Sequence, residues 1–351
     1  MQRALQLAAK GSGFTAPNPM VGAVLVHDDK IIGEGWHHKY GGNHAEVDCL
    51  NNVSDSDKKL IPQSTLYVTL EPCAHYGQTP PCATRLVADK VKKVVIANTD
   101  PFEKVQGRGI EILKAGGVVV ETGLLENECA WLNRRFFCFH QSNRPYIILK
   151  WAQTTDGFIA PADGSRFQIT GPASRELVHK WRTEESAIMV GTNTARNDNP
   201  ELTARFWQGN QPLRIVLDRN LTLPETSNLF NAKAPTWVIN EIVDKYENGV
   251  RFVKVAFGNN LIDKILSELY KAKKLSLIVE GGTQLLNSFI TAGWWDEARV
   301  FTGPQSLGSG IKSPGFLQNS NLISEMSIGN DQLSTFVNSN SQYRYQKGMP
   351  I

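Results

Sequence analysis

The sequence carries a histidine and a glutamate two residues apart, in His44-Ala45-Glu46. Two cysteines follow, in Glu71-Pro72-Cys73-Ala74-His75-Tyr76-Gly77-Gln78-Thr79-Pro80-Pro81-Cys82. One imidazole and two thiolates fill three positions of a tetrahedral metal site and leave the fourth open. Two thiolates also cancel the charge of a divalent ion. This donor set suits zinc, which lowers the pKa of a bound water to ~7 from ~15.7 in bulk. Glu46, at the start of a helix, reaches such a water without ligating the metal. It can take the water's proton and hand it to a leaving amine. A fourth ligand from His75 would close the site and leave Glu46 with no water to act on. We therefore assign the metal to His44, Cys73 and Cys82, and the catalytic role to Glu46.

The order His-x-Glu…Pro-Cys…Cys resembles the zinc-dependent base deaminases. One feature departs from their commonest form, which has two residues between the cysteines. Here Cys73 and Cys82 are nine positions apart. The longer loop, Glu-Pro-Cys-x-His-x-Gly-x-Thr-Pro-Pro-Cys, resembles the deaminase half of the bifunctional deaminase/reductase family of riboflavin biosynthesis. That resemblance implies a substrate contact for His75. It also implies one for Asn18, because Thr15-Ala16-Pro17-Asn18-Pro19-Met20-Val21-Gly22 looks like the family's first signature, whose Asn amide contacts the substrate base. From composition alone Asn18 is equally a turn residue. His37 stands seven before the metal histidine, as in the related enzymes, which implies a place near the substrate.

These residues need elements to hold them. Residues 2–10 have helical apolar spacing and end at Gly11, a plausible C-cap. Two prolines around Asn18 force an extended, rigid segment. Residues 23–26 and 31–35 read as a hairpin, 45–53 as a helix that starts at the metal, and 66–70 as the strand that delivers Glu71. Thr79 reads as the cap of a helix opening with Pro80 and Pro81. The positive end of that helix favours the Cys82 thiolate. Strands follow at 94–97 and 116–120. A helix opens at Gly107-Arg108-Gly109, weak evidence for a phosphate cradle, and a last helix spans 124–139. Alternating strands and helices predict an α/β/α sandwich, and the resemblance implies a cytidine-deaminase-like one.

A polar break at Gln141-Ser142-Asn143-Arg144 divides the chain into domains 1–143 and 144–351. The second reads as α/β. Its strands fall at 146–152, 187–191, 212–218 and 276–280, and its helices at 172–182 and 285–291. Residues 192–203 read as a polar loop, and 317–351 as edge strands. Gly281-Gly282 before a helix is either a tight turn or a place where backbone N–H groups meet an anion. There is no Gly-x-Gly-x-x-Gly, so a Rossmann site is not supported. Four motifs resemble the family's reductase half, in order. They are Leu149-Lys150-x-Ala152-x-Thr154-x-Asp156-Gly157, Ile169-Thr170-Gly171…His179-x-x-Arg182, Val190-Gly191-x-x-Thr194…Asp198-x-Pro200-x-Leu202-Thr203, and Glu280-Gly281-Gly282. The resemblance implies a dihydrofolate-reductase-like α/β fold that uses NADPH. It implies cofactor contacts from Ala152, Gln168, Thr194, Asp198, Gly282, Thr283, Gln284, Leu285, Leu286, Asn287 and Ser288. Ser165, Arg182, Leu202, Arg205 and Glu280 would face the substrate, the arginines being suited to its phosphate. The family has an aromatic just before Ile-Thr-Gly, whereas here Gln168 stands there and Phe167 precedes it.

Bulk properties agree with a two-domain enzyme. At 351 residues two domains are the better expectation. A composition of 41% hydrophobic and 20% charged residues is that of an ordinary globular protein. A net charge of +3 is too small to argue for nucleic acid. No apolar run approaches the ~20 residues of a membrane span, and the N-terminus reads as a helix rather than a signal peptide. Besides the two metal cysteines, Cys49, Cys129 and Cys138 are scattered singly, which suits a reducing cytoplasm. The expected function is hydrolytic deamination of a pyrimidine ribotide, then NADPH-dependent reduction of its ribosyl group, with no nucleic-acid or membrane partner. The resemblance implies a homo-oligomer. Two alternatives are a tRNA-base deaminase with a fused nucleotide-binding domain, and a structural zinc domain fused to a nucleotide sensor. Glu46 argues against the last, since a structural site has no use for it.

Overall fold

The computed structural model describes residues 1–76, 80–315, 319–346 and 348–349. The chain forms two units: Met1–Ser142 together with the residues from Tyr343 on, and Asn143–Gln342. A single cut after residue 143 assigns the C-terminal residues to the second domain. In the structure they pack with the first, through Tyr343 and Met349, both buried.

In the first unit, α1 (Gln2–Ala9) buries Ala4, Leu7 and Ala8. Its C-cap is Lys10 in right-handed geometry, not Gly11. Strands β1 (Gly22–His27) and β2 (Lys30–Trp36) form the expected hairpin, turning through Asp28 and Asp29 at positive φ. Helix α2 (Ala45–Asn51) starts directly after His44. Next come β3 (Thr65–Leu70), α3 (Cys82–Ala88), β4 (Lys93–Asn98), α4 (Arg108–Ala115) and β5 (Val119–Thr122). The sheet order is β2-β1-β3-β4-β5, with β3, β4 and β5 parallel. Alternation along β1 sends Ala23 and Leu25 into a core with Leu50, Leu86 and Leu113 from the helices, and Val24 toward α1 on the other face. This is the α/β/α sandwich. The Thr79 cap falls outside the described residues.

The expected helix over 124–139 is two helices, α5 (Glu126–Leu132) and α6 (Arg134–Ser142). They break at Asn133, whose side chain leaves the helix pattern to bond distant backbone. Its amide donates to Met20 O and accepts from Met20 N, both at 2.8 Å.

The second unit is built on a ten-stranded sheet. Its chain order is β6 (Tyr146–Gln153), β7 (Phe158–Ala160), α7 (Pro172–Glu184), β8 (Ala187–Val190), α8 (Thr192–Asp198), β9 (Leu213–Leu217), β10 (Thr236–Asn240), β11 (Lys245–Glu247), β12 (Val250–Lys254), α9 (Leu261–Lys271), β13 (Ser276–Glu280), α10 (Thr283–Thr291), β14 (Glu297–Thr302), β15 (Ile311–Lys312), β16 (Ser320–Ile328) and β17 (Asp331–Asn338). The sheet runs β11-β12-β10-β9-β8-β13-β6-β14-β17-β16, while β15 pairs with β7 apart from it. Strands β8 and β13 are buried along their whole length, as parallel strands covered on both faces must be. The polar stretch after Gly191 contains α8, so it is helical rather than a loop. The C-terminal hairpin puts β16 at the sheet edge, whereas β17 lies between β14 and β16.

One buried charge organises the loops of this unit. Arg214 in β9 is fully buried. Its Nη1 donates to Glu201 O (3.2 Å), Asn228 O (3.1 Å) and Asn231 Oδ1 (2.9 Å). Its Nη2 donates to Asn231 O (2.7 Å) and Ala234 O (2.8 Å). Removing a charge that so many buried oxygens solvate leaves them unpaired. Arg214→Met is expected to destabilise this unit by ~3 kcal/mol. Urea unfolding checks this, and a loss below ~1 kcal/mol would mean that the loops relax at little cost.

Candidate active sites

His44 is the residue that precedes α2, held in extended backbone at φ −71° and ψ 158°. Cys73 follows β3 by a short Glu71-Pro72 link, and Cys82 is the first residue of α3. Three element boundaries thus bring three donors together. His44 Nδ1 lies 3.4 Å from Cys73 Sγ and 3.3 Å from Cys82 Sγ, and the ligand atoms all fall within 4.8 Å of one another. The Cys73 thiol is held down to about 4. The Cys82 side chain bonding to it is the largest cause, and His44 and the Cys82 backbone N–H add to the effect. This set of donors fits a tetrahedral zinc with one open position. Among the described residues His75 stands outside the cluster. Its Nδ1 is buried with no protein partner, and its ring meets Phe102 edge-on at 5.9 Å.

Glu46 is 4% exposed, in the first turn of α2. Burial pushes its carboxyl up to about 7, against the opposing pull of His44. A carboxyl with that pKa both accepts and returns a proton near neutrality. His37 Nδ1 lies 2.8 Å from Asn43 O, so that nitrogen is the donor. Burial lowers the His37 pKa, leaving Nε2 to accept from Asn18 Nδ2 at 3.2 Å. The His37 ring stands edge-on to that of His44 at 5.6 Å. His37 is therefore beside a metal ligand, and Asn18 is joined to it through His37, which orients the Asn18 amide.

Glu71 was not singled out by sequence reasoning. Its buried carboxylate accepts four backbone N–H groups: Asp100 (3.2 Å) and Gly107 (3.0 Å) on Oε2, Gly109 (2.9 Å) and Ile110 (3.2 Å) on Oε1. The Gly107-Arg108-Gly109 turn thus cradles a carboxylate of its own chain. Gly109 has no alternative, because a Cβ there would sit 2.0 Å from Pro72 O.

In the second unit a cavity of about 1420 Å³ opens where β6, β8 and β13 end, the usual ligand position in parallel sheets. The residues expected at the substrate all line it: Ser165, Arg182, Leu202, Arg205 and Glu280. So do Ala152, Gln168, Thr194, Asp198, Gly282, Thr283, Gln284, Leu286, Asn287 and Ser288. Leu285 is the exception. With Leu286 and Phe289 it is on the apolar face of α10, and it packs into the core of the sheet. Gly281 and Gly282 turn at φ +73° and +71°, and Gly282 precedes α10. The diglycine is a tight turn and a cavity wall at once, with the free N–H groups of α10 beginning there.

Charge is concentrated at the cavity floor. Arg182 Nη2 meets Glu280 Oε2 at 3.0 Å, and Lys150 Nζ lies 3.9 Å from the same oxygen. Burial opposes ionisation of Glu280, but Arg182 and Lys150 outweigh it and hold the carboxyl below its ordinary range. Burial lowers the Lys150 pKa, with Glu280 opposing. Glu280 Oε1 and Arg182 Nε are buried without protein partners, which leaves polar capacity for a ligand. Leu202 holds a left-handed φ of 53°, a conformation that costs ~1–2 kcal/mol. The Arg214 bond to Glu201 O, one residue before, restrains it there.

Comparison with known proteins matches both units. Residues 1–98 match the cytidine and deoxycytidylate deaminase zinc-binding region, and residues 145–333 match the RibD C-terminal domain. The riboflavin biosynthesis protein RibD of Aquifex aeolicus is 43% identical over 318 residues, which span 89% of this chain and 88% of that one. RibD of Bacillus amyloliquefaciens is 39% identical over 326 residues, spanning 90% and 86%. The chain belongs to the RibD family.

Two crystal structures of the family superpose on nearly the whole molecule. The diaminohydroxyphosphoribosylaminopyrimidine deaminase/5-amino-6-(5-phosphoribosylamino)uracil reductase of Thermotoga maritima gives a TM-score of 0.87 at 33% identity, covering 96% of this chain and 97% of that one. Acinetobacter baumannii RibD gives 0.86 at 35% identity, with the same coverage. The chain is a bifunctional deaminase/reductase of riboflavin biosynthesis, with a zinc-binding deaminase half and a reductase half of the RibD type. Among the described residues no helix is long and apolar enough to cross a membrane.

His179 of the RibD-type motif has a role that its spacing did not reveal. It is buried on the cavity wall, and its Nδ1 accepts the Arg205 N–H at 2.8 Å. Burial and then the charges of Arg182 and Arg205 pull its pKa from 6.5 to about 4. The unfolded chain therefore binds more protons than the folded one between those values. The stability supplied by neutral His179 is present above pH 6.5 and is lost as pH falls toward about 4. His179→Gln, which keeps an acceptor for Arg205, should flatten the fall in melting temperature over that window. An unchanged slope would assign the acid sensitivity elsewhere.

Proposed function

We propose that the first unit deaminates 2,5-diamino-6-ribosylamino-4(3H)-pyrimidinone 5′-phosphate, and that the second reduces the product's ribosyl group to ribityl with NADPH. The observation that carries this reading is the convergence of each motif set on one place: three donors with Glu46 in the first unit, and the reductase residues on one cavity wall in the second. The Thermotoga maritima relative is named for the same pair of activities.

In the first reaction zinc supplies Lewis acidity that makes a water nucleophilic at neutral pH. Glu46 takes that water's proton as its oxygen bonds to the ring carbon bearing the 2-amino group. The carboxyl returns the proton to the amine, the carbon–nitrogen bond breaks, and ammonia leaves. Asn18, oriented by His37, binds the base, and His75 offers a free ring nitrogen to it. In the second reaction NADPH supplies hydride to the sugar's C1. The bond from C1 to the ring oxygen breaks, and that oxygen takes a proton. Lys150 delivers it, since burial makes its ammonium more acidic than usual. Arg182 and Arg205 hold the phosphate, and Glu280 faces the substrate beside Lys150. Thr194, Asp198 and the start of α10 hold the cofactor. We place the enzyme in the cytoplasm, where its five free cysteines stay reduced, and read it as a homo-oligomer by likeness to its family.

Ammonia release and NADPH absorbance, followed in sequence with the diaminopyrimidine ribotide, test the scheme as a whole: ammonia should appear first and NADPH be consumed only afterwards. Glu46→Gln is expected to slow ammonia release by about 100-fold or more while bound zinc, measured by metal analysis, stays at the level of the parent. Full turnover in this variant would refute the proton-shuttle role. Asp198→Ala should weaken NADPH binding and leave ammonia release unchanged. A joint loss of both activities would contradict two independent sites.

A further inference from the structure

Asn133 separates α5 from α6, and its side chain is 2% exposed. Its two amide bonds to Met20, both 2.8 Å, satisfy the N–H and the C=O of one backbone residue from 113 positions away. The backbone turn carries on through Asn133, with its N–H donating to Cys129 O at 3.1 Å and Phe137 N–H to Asn133 O at 3.0 Å. The Asn133 side chain makes a bidentate clamp on Met20. Between Met20 and Asn18 stands only Pro19, and Pro17 stands on the other side. Prolines fix φ, so few soft torsions separate the clamp from Asn18. The Asn18 backbone N–H is held as well, by Thr15 O at 2.8 Å, and its side-chain amide meets His37 Nε2 at 3.2 Å.

The clamp rests on a second contact. Trp131, two residues before Asn133, is fully buried. The ring of Tyr345 meets it at 5.4 Å and 67°, and the Arg134 guanidinium lies 4.1 Å from the indole centroid. Tyr343 OH donates to Gln141 Oε1 at 3.0 Å, on α6. The chain's C-terminal residues therefore brace both helices that flank Asn133.

We propose that Asn133 is a positioning residue of the deaminase site, braced by Tyr345, and that it sets the placement of the substrate-binding Asn18. The inference rests on the reading of Asn18 as a base contact. It also means that the deaminase site is completed by residues from the far end of the chain, after the whole reductase half.

The test uses the full-length, zinc-loaded enzyme and the kinetics of ammonia release. Asn18→Ala and Asn133→Ala should each raise KM about tenfold or more with a smaller change in kcat. Zinc content, and NADPH oxidation with the deaminated ribotide, should match the parent in both. A fold defect would instead lower kcat and zinc together. If Asn18→Ala raises KM and Asn133→Ala does not, the positioning role is overturned and the Asn18 reading stands. If Asn18→Ala leaves KM unchanged, both are overturned. Tyr345 gives a milder probe should Asn133→Ala not fold. Tyr345→Ala should raise KM and Tyr345→Phe, which keeps the ring, should restore it. Parent KM in both Tyr345 variants overturns the brace.

Discussion

A carboxylate at the C-terminal end of a buried strand lies at the centre of each half of this molecule. Glu71 follows β3, and Glu280 ends β13. A charge in such a place is costly unless every lone pair finds a partner. Glu71 meets the demand with four backbone N–H groups, which ties the segment leading to Cys73 to the turn that opens α4. Glu280 meets it only in part. Arg182 and Lys150 balance one oxygen, and the other has no protein partner. The difference matches their settings. The satisfied carboxylate is a strut beside the metal donors, and the half-satisfied one lies on the wall of a cavity.

The same contrast runs through the other buried polar groups. Arg214 directs both terminal nitrogens at the loops that shape one side of the cavity, whereas Arg182 divides its terminal nitrogens between Thr203 O and Glu280. His37 commits both ring nitrogens to protein, whereas His75 leaves one without a partner. Groups fully bonded within the chain hold geometry. Glu280, Arg182 and His75, each with an unpartnered atom, belong to the two candidate sites. A buried polar atom without a partner is destabilising in the free protein, and His75, Arg182 and Glu280 of the sequence motifs each carry one.

Much of this was legible in the sequence because the signals are local. Donor types, their spacing and strand–helix alternation were enough for the three-donor cluster and the first unit's layers. The hairpin and the strand that carries Glu71 also followed from short-range pattern. Other features came out differently in the structure. A continuous helix over 124–139 satisfies the periodicity, but the helix is divided at Asn133, whose side chain bonds Met20 twice. The polar run after Gly191 has little apolar pattern, yet α8 forms there against the sheet. Gly107-Arg108-Gly109 has the look of an anion cradle, and its anion turns out to be Glu71. Leu285 belongs to a cofactor-type motif, and the helical period turns its side chain into the core.

By itself, the sequence determined which chemistries are available: a soft three-donor metal set with a carboxylate beside it, and a second α/β half with two arginines, a lysine and a diglycine turn. Those follow from residue type and short spacing, which no fold can change. Tertiary structure decided which of these groups are spent on one another. That His179 serves Arg205, that Asn133 serves Met20, and that residues from Tyr343 on belong with the first unit are contacts between segments 26 to more than 200 positions apart. Closing such distances costs chain entropy that only the assembled core repays. No local pattern announces them.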